Sequence, residues 1–201
     1  MKLFAFSDFH ESRFALKEIL SKLGKNKVDL IICCGDLAVF GHKIDLERVR
    51  KIRDAAGKVP FLVIPGNHET PLMVEGLCKE LGLSSLHNKF VEIEDKKIFG
   101  IGGSLITPFN TPYENKESFY EKVFEKLKKV DILILHNPVY KTKLDFLDGK
   151  YLGTKSARKY IEENQPELVL CGHLHEHAHE RDRIGKSRII NPGASGEVLE
   201  V

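Results

Sequence analysis

The sequence predicts an α/β domain with a parallel sheet, and two observations carry that prediction. Short apolar runs alternate with amphipathic stretches of helical period, the order expected of βαβ units. Several of those runs are nearly continuous in apolar residues, as strands covered on both faces are. The 201 residues suit one domain, spanning 1–201, with a sizeable core, and 42% hydrophobic against 30% charged residues suits a soluble globular chain. The 31 Lys and Arg nearly balance the 29 Asp and Glu, leaving a formal charge of +2. That balance gives no electrostatic case for nucleic acid or for an anionic membrane.

Lys2 to Ser7 reads as the first strand, and Asp8-Phe9-His10 follows as a turn. Ala15, Ile19 and Leu23 make the apolar face of a helix closed by Gly24. Val28 to Cys34 is a buried strand ending in Gly35-Asp36. Leu46, Val49, Ile52 and Ala56 line the next helix. Pro60 to Ile64 is a third strand and ends in Pro65-Gly66-Asn67-His68-Glu69. A helix over Leu72 to Leu81 follows, then a hairpin between Phe90 and Gly103. Thr107 to Pro112, with two prolines and an asparagine, is a loop. Phe119, Val123, Phe124 and Leu127 mark a helix, and Asp131 to Leu135 a strand ending at His136. A helix through Ala157, Tyr160 and Ile161 precedes the apolar run that ends in Cys171-Gly172-His173-Leu174-His175. Ala178 to Ile190 reads as a hairpin turning at Gly185, followed by Asn191-Pro192-Gly193 and a terminal strand.

No apolar run approaches the roughly 20 residues needed to span a bilayer. The apolar stretch after Met1-Lys2 is too short for a signal sequence before Asp8 intervenes, so a cytoplasmic chain is expected. Cys33, Cys34, Cys78 and Cys171 form no C-x-x-C pair, and three of them end apolar runs. They read as small buried hydrophobes rather than as a disulfide framework.

Five strand ends are followed at once by residues of metal-ligand type. These are Asp8 and His10, Asp36, Asn67 and His68, His136, and finally His173 and His175. Taken alone, Gly172-His173-Leu174-His175 reads more readily as a polar loop after a strand than as a ligand pair, although Gly172 eases the turn and an extended segment would aim both imidazoles one way. In open α/β sheets, however, ligands gather at the carboxyl ends of the strands, where all these residues sit. Imidazole and carboxylate without thiolate suit zinc, manganese or iron rather than a cysteine-rich structural site. These donors exceed what one ion takes, and two ions about 3.5–4 Å apart would use them.

Asp8-Phe9-His10, Gly35-Asp36, Gly66-Asn67-His68-Glu69, His136 and Gly172-His173-Leu174-His175 together resemble the calcineurin-like metallophosphoesterases, in order and spacing across nearly the whole chain. Ser7, Asn191-Pro192-Gly193 and Gly102-Gly103-Ser104 add to the resemblance, the last to small prokaryotic single-domain members. The resemblance implies a four-layer α/β/β/α sandwich of two mixed sheets flanked by helices. It implies two divalent transition-metal ions, from among manganese, iron, zinc and nickel with manganese favoured. Asp8, His10, Asp36 and His175 would surround one ion, and Asp36, Asn67, His136 and His173 the other. His68 is implied as the catalytic acid, a role that suits an imidazole. The implied activity is hydrolysis of a small phosphoester, nucleotides among the candidates, by a phosphodiesterase using a metal-bridging hydroxide. A phosphomonoesterase is the alternative on the same site, and a non-catalytic metal-binding scaffold a further one, although the chain keeps every ligand.

One departure stands out. Protein phosphatases of this superfamily carry an aspartate that orients the catalytic histidine, where this chain has Val39, and Phe40 replaces their arginine. A protein phosphatase is therefore not expected. His177 and His179 are read as part of an exposed strand leaving the site, and His42 and His87 as surface residues. Lys141, Lys143, Asp145, Tyr151, Asn110 and Tyr113 lie on loops that can border a substrate. Glu69 either braces the site from behind or serves as an acid at a helix N-terminus.

Overall fold

The structure, a computed structural model, describes residues 1–201. Strand β1 (Lys2–Phe6), helix α1 (Arg13–Lys25), β2 (Leu30–Cys33), α2 (Leu46–Ala56), β3 (Phe61–Val63) and α3 (Pro71–Leu81) alternate as the sequence pattern predicts. Then come β4 (Ser84–Ser85), the hairpin β5 (Lys89–Ile93) and β6 (Lys96–Ile101), and a two-stranded ribbon of β7 (Ser104–Leu105) and β8 (Glu114–Asn115). Helix α4 (Glu117–Phe124) and β9 (Ile132–Leu135) precede a second ribbon, β10 (Phe146–Leu147) with β11 (Lys150–Tyr151). Helix α5 (Lys155–Asn164), β12 (Leu168–Leu170), β13 (Arg181–Ile184), β14 (Ser187–Ile190) and β15 (Glu197–Glu200) complete the chain.

Local chemistry sets the helix starts. Ser12, Asp45 and Thr70 cap α1, α2 and α3, their side chains accepting the N–H of Ala15, Arg48 and Met73. Pro71 takes the first position of α3, where a missing N–H costs nothing, and Gly82 ends it in a left-handed conformation. Leu46, expected on the buried face of α2, sits in its first turn and stays exposed, while Val49, Ile52 and Ala56 are buried.

The strands form two mixed sheets. The first runs β15-β1-β2-β3-β4, parallel except for β15; the second runs β13-β14-β12-β9-β6-β5, with antiparallel strands at both edges. Period-2 alternation divides their side chains between two faces. Leu3, Ile32, Leu62, Ile98, Ile134 and Leu170 belong to one apolar layer between the sheets. Their sequence neighbours Phe4, Ile31 and Val63 pack with α1, α2 and α3 outside the first sheet. Phe99, Leu133 and Val169 pack with α4 and α5 outside the second. The result is the α/β/β/α sandwich that the family resemblance implies, and the carboxyl ends of the parallel strands of both sheets meet at one edge of the interface.

One strand was not foreseen, and two expectations are corrected. β4 is a serine pair with no hydrophobic signal, yet it extends the first sheet beside β3. The predicted hairpin from Ala178 begins only at Arg181, because His175–His177 form a 3₁₀ turn and His179 has φ +67°. His87 is no surface residue. Its turn folds back over β6, so its Nδ1 accepts the Gly102 N–H at 3.0 Å while its Nε2 lies 3.0 Å from the Tyr113 hydroxyl.

The inter-sheet layer is apolar and fully buried at Ile32 (0% exposed), so Ile32→Ala should cost about 2–5 kcal/mol in urea unfolding. Phe14→Ala, at 73% exposure on α1, should change stability by less than about 0.5 kcal/mol. Burial holds the His87 imidazole down at about 4, so the unfolded chain binds more protons between that pH and about 6.5. Stability contributed by neutral His87 is therefore present above pH 6.5 and lost as pH falls towards 4. Urea titrations at pH 7 and pH 4.5 should show roughly 2 kcal/mol less of that loss in His87→Gln than in the parent.

Candidate metal centre

Every strand end that the sequence marks as chemical arrives at the same edge. β1, β2 and β3 deliver Asp8 and His10, Asp36, and Asn67 and His68; β9 and β12 deliver His136, and His173 and His175. The backbone turns sharply to present them. Asp8, His10, Asp36 and His173 all have φ between +40° and +72°, a region that non-glycine residues enter at a cost and that clusters at functional sites. Backbone ties hold the turns together: Asp8 N–H donates to Gly35 O at 3.0 Å, and His10 N–H to Asp36 O at 3.1 Å.

His173 and His175 do not share an extended segment, contrary to the geometry expected of a strand. Left-handed His173 and the following 3₁₀ turn separate their directions, so His173 faces Asn67 and His175 faces His10. Gly172 is required for a reason other than turning. A Cβ there would lie 1.8 Å from Ser7 Oγ and 2.6 Å from Asp8 Oδ2, so only glycine lets β1 and β12 end so close together. Gly66 plays the same part beside Asp36, where a Cβ would stand 1.9 Å from Oδ1.

Asp36 lies at the middle. Its Oδ2 is 3.6 Å from His10 Nε2, 3.8 Å from His68 Nε2 and 3.5 Å from His136 Nε2, while its Oδ1 accepts the His68 N–H at 3.0 Å. On one side His10 Nε2 is 3.0 Å from His175 Nε2, which is 3.5 Å from Asp8 Oδ1. On the other, Asn67 Oδ1 is 2.9 Å from His136 Nε2 and 2.8 Å from His173 Nδ1. Ligand atoms of Asp8, His10 and His175 lie within 4.8 Å of one another, as do those of Asp8, Asp36 and His136, and those of His10, Asp36 and His68.

The proton inventory tests whether a cation fits. His10 Nδ1 faces Ala38 O at 2.8 Å and His136 Nδ1 faces Cys34 O at 2.9 Å. Each of those nitrogens must donate, which leaves Nε2 of a neutral ring as a lone pair aimed at other acceptors. Asn67 Nδ2 donates to Thr111 Oγ1 at 3.0 Å, which fixes its Oδ1 as the atom turned inward. Lone pairs thus converge on lone pairs, and a positive charge is what relieves them. Cys34 and Cys171 lie behind the site with thiols pushed up by burial, so neither offers a thiolate. The donors are imidazole, carboxylate and amide oxygen, a set that suits a divalent transition-metal ion.

The free chain answers the same demand with protons. Burial pushes the Asp36 carboxyl up, but His136, His68 and His10 outweigh it and hold the group well below the usual carboxylate range. Asp8 is likewise lowered despite burial, chiefly by its bond to His175 and the charge of His136. Burial works against a charged His136, yet Asp36 raises it to about 9. His173, with burial and His136 both against its charge, is held down at about 4.

Glu69 is fully buried and braces the site from behind. Its Oε1 accepts the N–H of Gly66 at 2.9 Å and of Leu37 at 3.2 Å, and its Oε2 that of Ala38 at 3.3 Å. It stitches the turn after β2 to the turn after β3. Sequence reasoning missed Thr111 and the carbonyls of Ala38 and Cys34, which orient Asn67, His10 and His136; carbonyls have no sequence signature, and Thr111 sits in a loop without a period. Asp145 does not border a substrate, since it is buried and accepts the N–H of Lys141, Thr142 and Gly153. Lys141, Lys143, Tyr151 and His177 do line an open cleft of about 560 Å³. His177 faces Glu180 and Phe146 O, and His179 faces Ser195, so neither joins the cluster.

A family model described as the calcineurin-like phosphoesterase superfamily domain matches residues 1–200. The chain is 32% identical over 203 residues to an uncharacterized protein of Methanocaldococcus jannaschii, covering 96% of this chain and 88% of that protein. It is 29% identical over 164 residues to a probable glycerophosphodiester phosphodiesterase of Arcobacter nitrofigilis, covering 75% of this chain and 58% of that protein. The crystal structure of a Thermus thermophilus protein, TT1561, has the same fold, with a TM-score of 0.74 at 17% identity, over 96% of this chain and 90% of that one.

Gly172→Ala should displace Asp8 or Ser7, destabilise the chain by about 1–3 kcal/mol, and reduce any melting-temperature gain on adding a divalent transition-metal ion. Thermal unfolding with and without the ion measures both effects; an unchanged gain would show that the Gly172 approach is dispensable.

Proposed function

The chain belongs to the calcineurin-like phosphoesterase superfamily and is a hydrolase of phosphoester bonds, and on that premise we propose that it is a phosphodiesterase with a dinuclear metal centre. One observation carries the reading: a single buried oxygen, Asp36 Oδ2, stands between imidazoles from three different strand ends, with separate donor groups on either side of it. Asp8, His10 and His175 with Asp36 would hold one ion, and Asn67, His136 and His173 with Asp36 the other. When bound, such ions supply Lewis acidity, which neutralises phosphoryl oxygens and acidifies water at neutral pH. Manganese is the ion proposed, with zinc, iron and nickel compatible with the same donors.

The chain's own residues do the rest. Asn67 is locked by Thr111, so it presents oxygen rather than NH₂. His10 and His136 are locked by backbone carbonyls with Nε2 inward. His68 stands at the mouth, partly exposed, with Nε2 directed to the Asp36 side, and there it would give its proton to the departing alkoxide or phenoxide oxygen. Its backbone N–H, fixed on Asp36 Oδ1, sets where the ring begins. The preference for a diester is supported by the relative described as a probable glycerophosphodiester phosphodiesterase. Residues 1–201 would act as a single catalytic domain on a small phosphoester, nucleotide-like substrates included. No helix is long and apolar enough to cross a membrane.

Asp36→Ala should abolish manganese-supported hydrolysis of bis(p-nitrophenyl) phosphate and lower the metal content of the purified protein. His68→Asn should leave metal content unchanged while kcat falls about 10²–10⁴-fold. Full activity in Asp36→Ala would sink the mechanism, and faster turnover of p-nitrophenyl phosphate than of the diester would replace phosphodiesterase by phosphomonoesterase.

A further inference from the structure

A sizeable cavity lies away from the candidate metal centre. It has a volume of about 740 Å³ and opens between β5, β6, α4 and the segment leading into β9. Lys97, near the start of β6, and Val130, just before β9, line it. His136 follows the other end of β9, and no residue lining the cavity belongs to the candidate metal cluster.

Its walls are apolar for an identifiable reason. Phe90 and Phe99 are register partners on β5 and β6. Helix α4 covers Phe99, which is 4% exposed, but does not reach Phe90, which is 74% exposed on the edge strand. Val123 and Leu127 form the opposite wall. A trench of this size falls within the range of small-ligand sites, roughly 300–1,000 Å³.

Its rim carries one sign of charge. Lys97, Lys122, Lys126, Lys128 and Lys129 all line it, and no acidic side chain does. None of the five has a carboxylate within 4 Å, whereas Lys51, Lys89 and Lys96 elsewhere are paired. Five unpaired ammonium groups around apolar walls repel one another, and an anion relieves that repulsion. Lysine stems can lie along an apolar tail while their heads meet an anionic headgroup.

We propose that this trench binds a small single-chain amphiphilic anion, an alkyl carboxylate of roughly ten carbons or more, independently of the phosphoesterase site. An acidic protein segment fits less well, because the apolar surface is a pocket beside one exposed phenylalanine rather than a long groove.

Isothermal titration with sodium decanoate and dodecanoate, both kept below micelle formation, tests the proposal. One equivalent should bind, dodecanoate about tenfold tighter than decanoate, as two added methylenes imply. Lys122→Glu combined with Lys126→Glu should weaken binding at least tenfold, as should Phe90→Ser, with turnover of the nitrophenyl diester unchanged. Dodecyltrimethylammonium, which has the tail without the anion, should not bind. Equal binding of that cation, several equivalents of carboxylate per chain, or binding indifferent to both variants would overturn the proposal. Saturation by an oligoglutamate peptide with no carboxylate binding would overturn it in favour of a protein partner.

Discussion

The burial of the Asp36 carboxylate is the constraint on which the rest of the site depends. Taking one such charge out of water costs several kcal/mol unless partners surround it. Asp36 is 1% exposed, and its surroundings supply a backbone N–H on one oxygen and three imidazoles about the other. Each of those partners needs a partner in turn. His10 leans on Ala38 O and His136 on Cys34 O, while Glu69 fixes the turn on which Ala38 sits. Even the glycine at 66 follows from the position of Asp36 Oδ1, since any side chain would occupy its place. A buried anion thus dictates tautomers, turns and residue sizes several strands away.

His68 illustrates what replaces a missing carboxylate. The protein phosphatases of the superfamily orient their histidine with an aspartate, and this chain has Val39 at that position. Here His68 Nδ1 is buried without a hydrogen-bond partner. Its ring instead packs between His10, centroid to centroid 4.7 Å, and Phe40 at 5.6 Å. Packing thus holds the ring from the Nδ1 side, while the one carboxylate near it, Asp36, faces Nε2 at 3.8 Å. The half-exposed Phe40 also gives the mouth of the site an apolar wall beside His68.

The sequence made the fold and the cluster legible for separate reasons. Continuous apolar runs such as Ile31 to Cys33 and Ile132 to Leu135 are buried on both faces, and the helical stripe Ala15, Ile19, Leu23 packs inward as its period requires. The ligand residues were visible because strand termini concentrate them, whatever the details of their turns. What the sequence concealed was geometry that depends on distant chain. A serine pair becomes β4 only because β3 offers an open edge, and His87 acquires partners only when β6 and Tyr113 reach it. The extended geometry expected at His173 failed because its N–H is drawn onto the Asp8 carboxylate at 3.0 Å, a contact with a residue 165 positions away. The four-layer arrangement itself came from family resemblance, since periodicity cannot tell one sheet from two.

The distribution of the candidate ligands between the sheets has a mechanical consequence. Asp8, His10, Asp36 and Asn67 hang from the first sheet; His136, His173 and His175 hang from the second. Between them lies a close-packed apolar layer whose interdigitated side chains set how one sheet sits on the other. The directional contacts from His136 to Cys34 and from His173 to Asp8 act as rivets at the edge where the ligands meet. A slip of one sheet past the other by about 1 Å would spoil reaction geometry that tolerates little displacement. Alignment of the two sheets is therefore a catalytic variable, and substitutions deep in the shared apolar layer can detune the site without touching any of its residues.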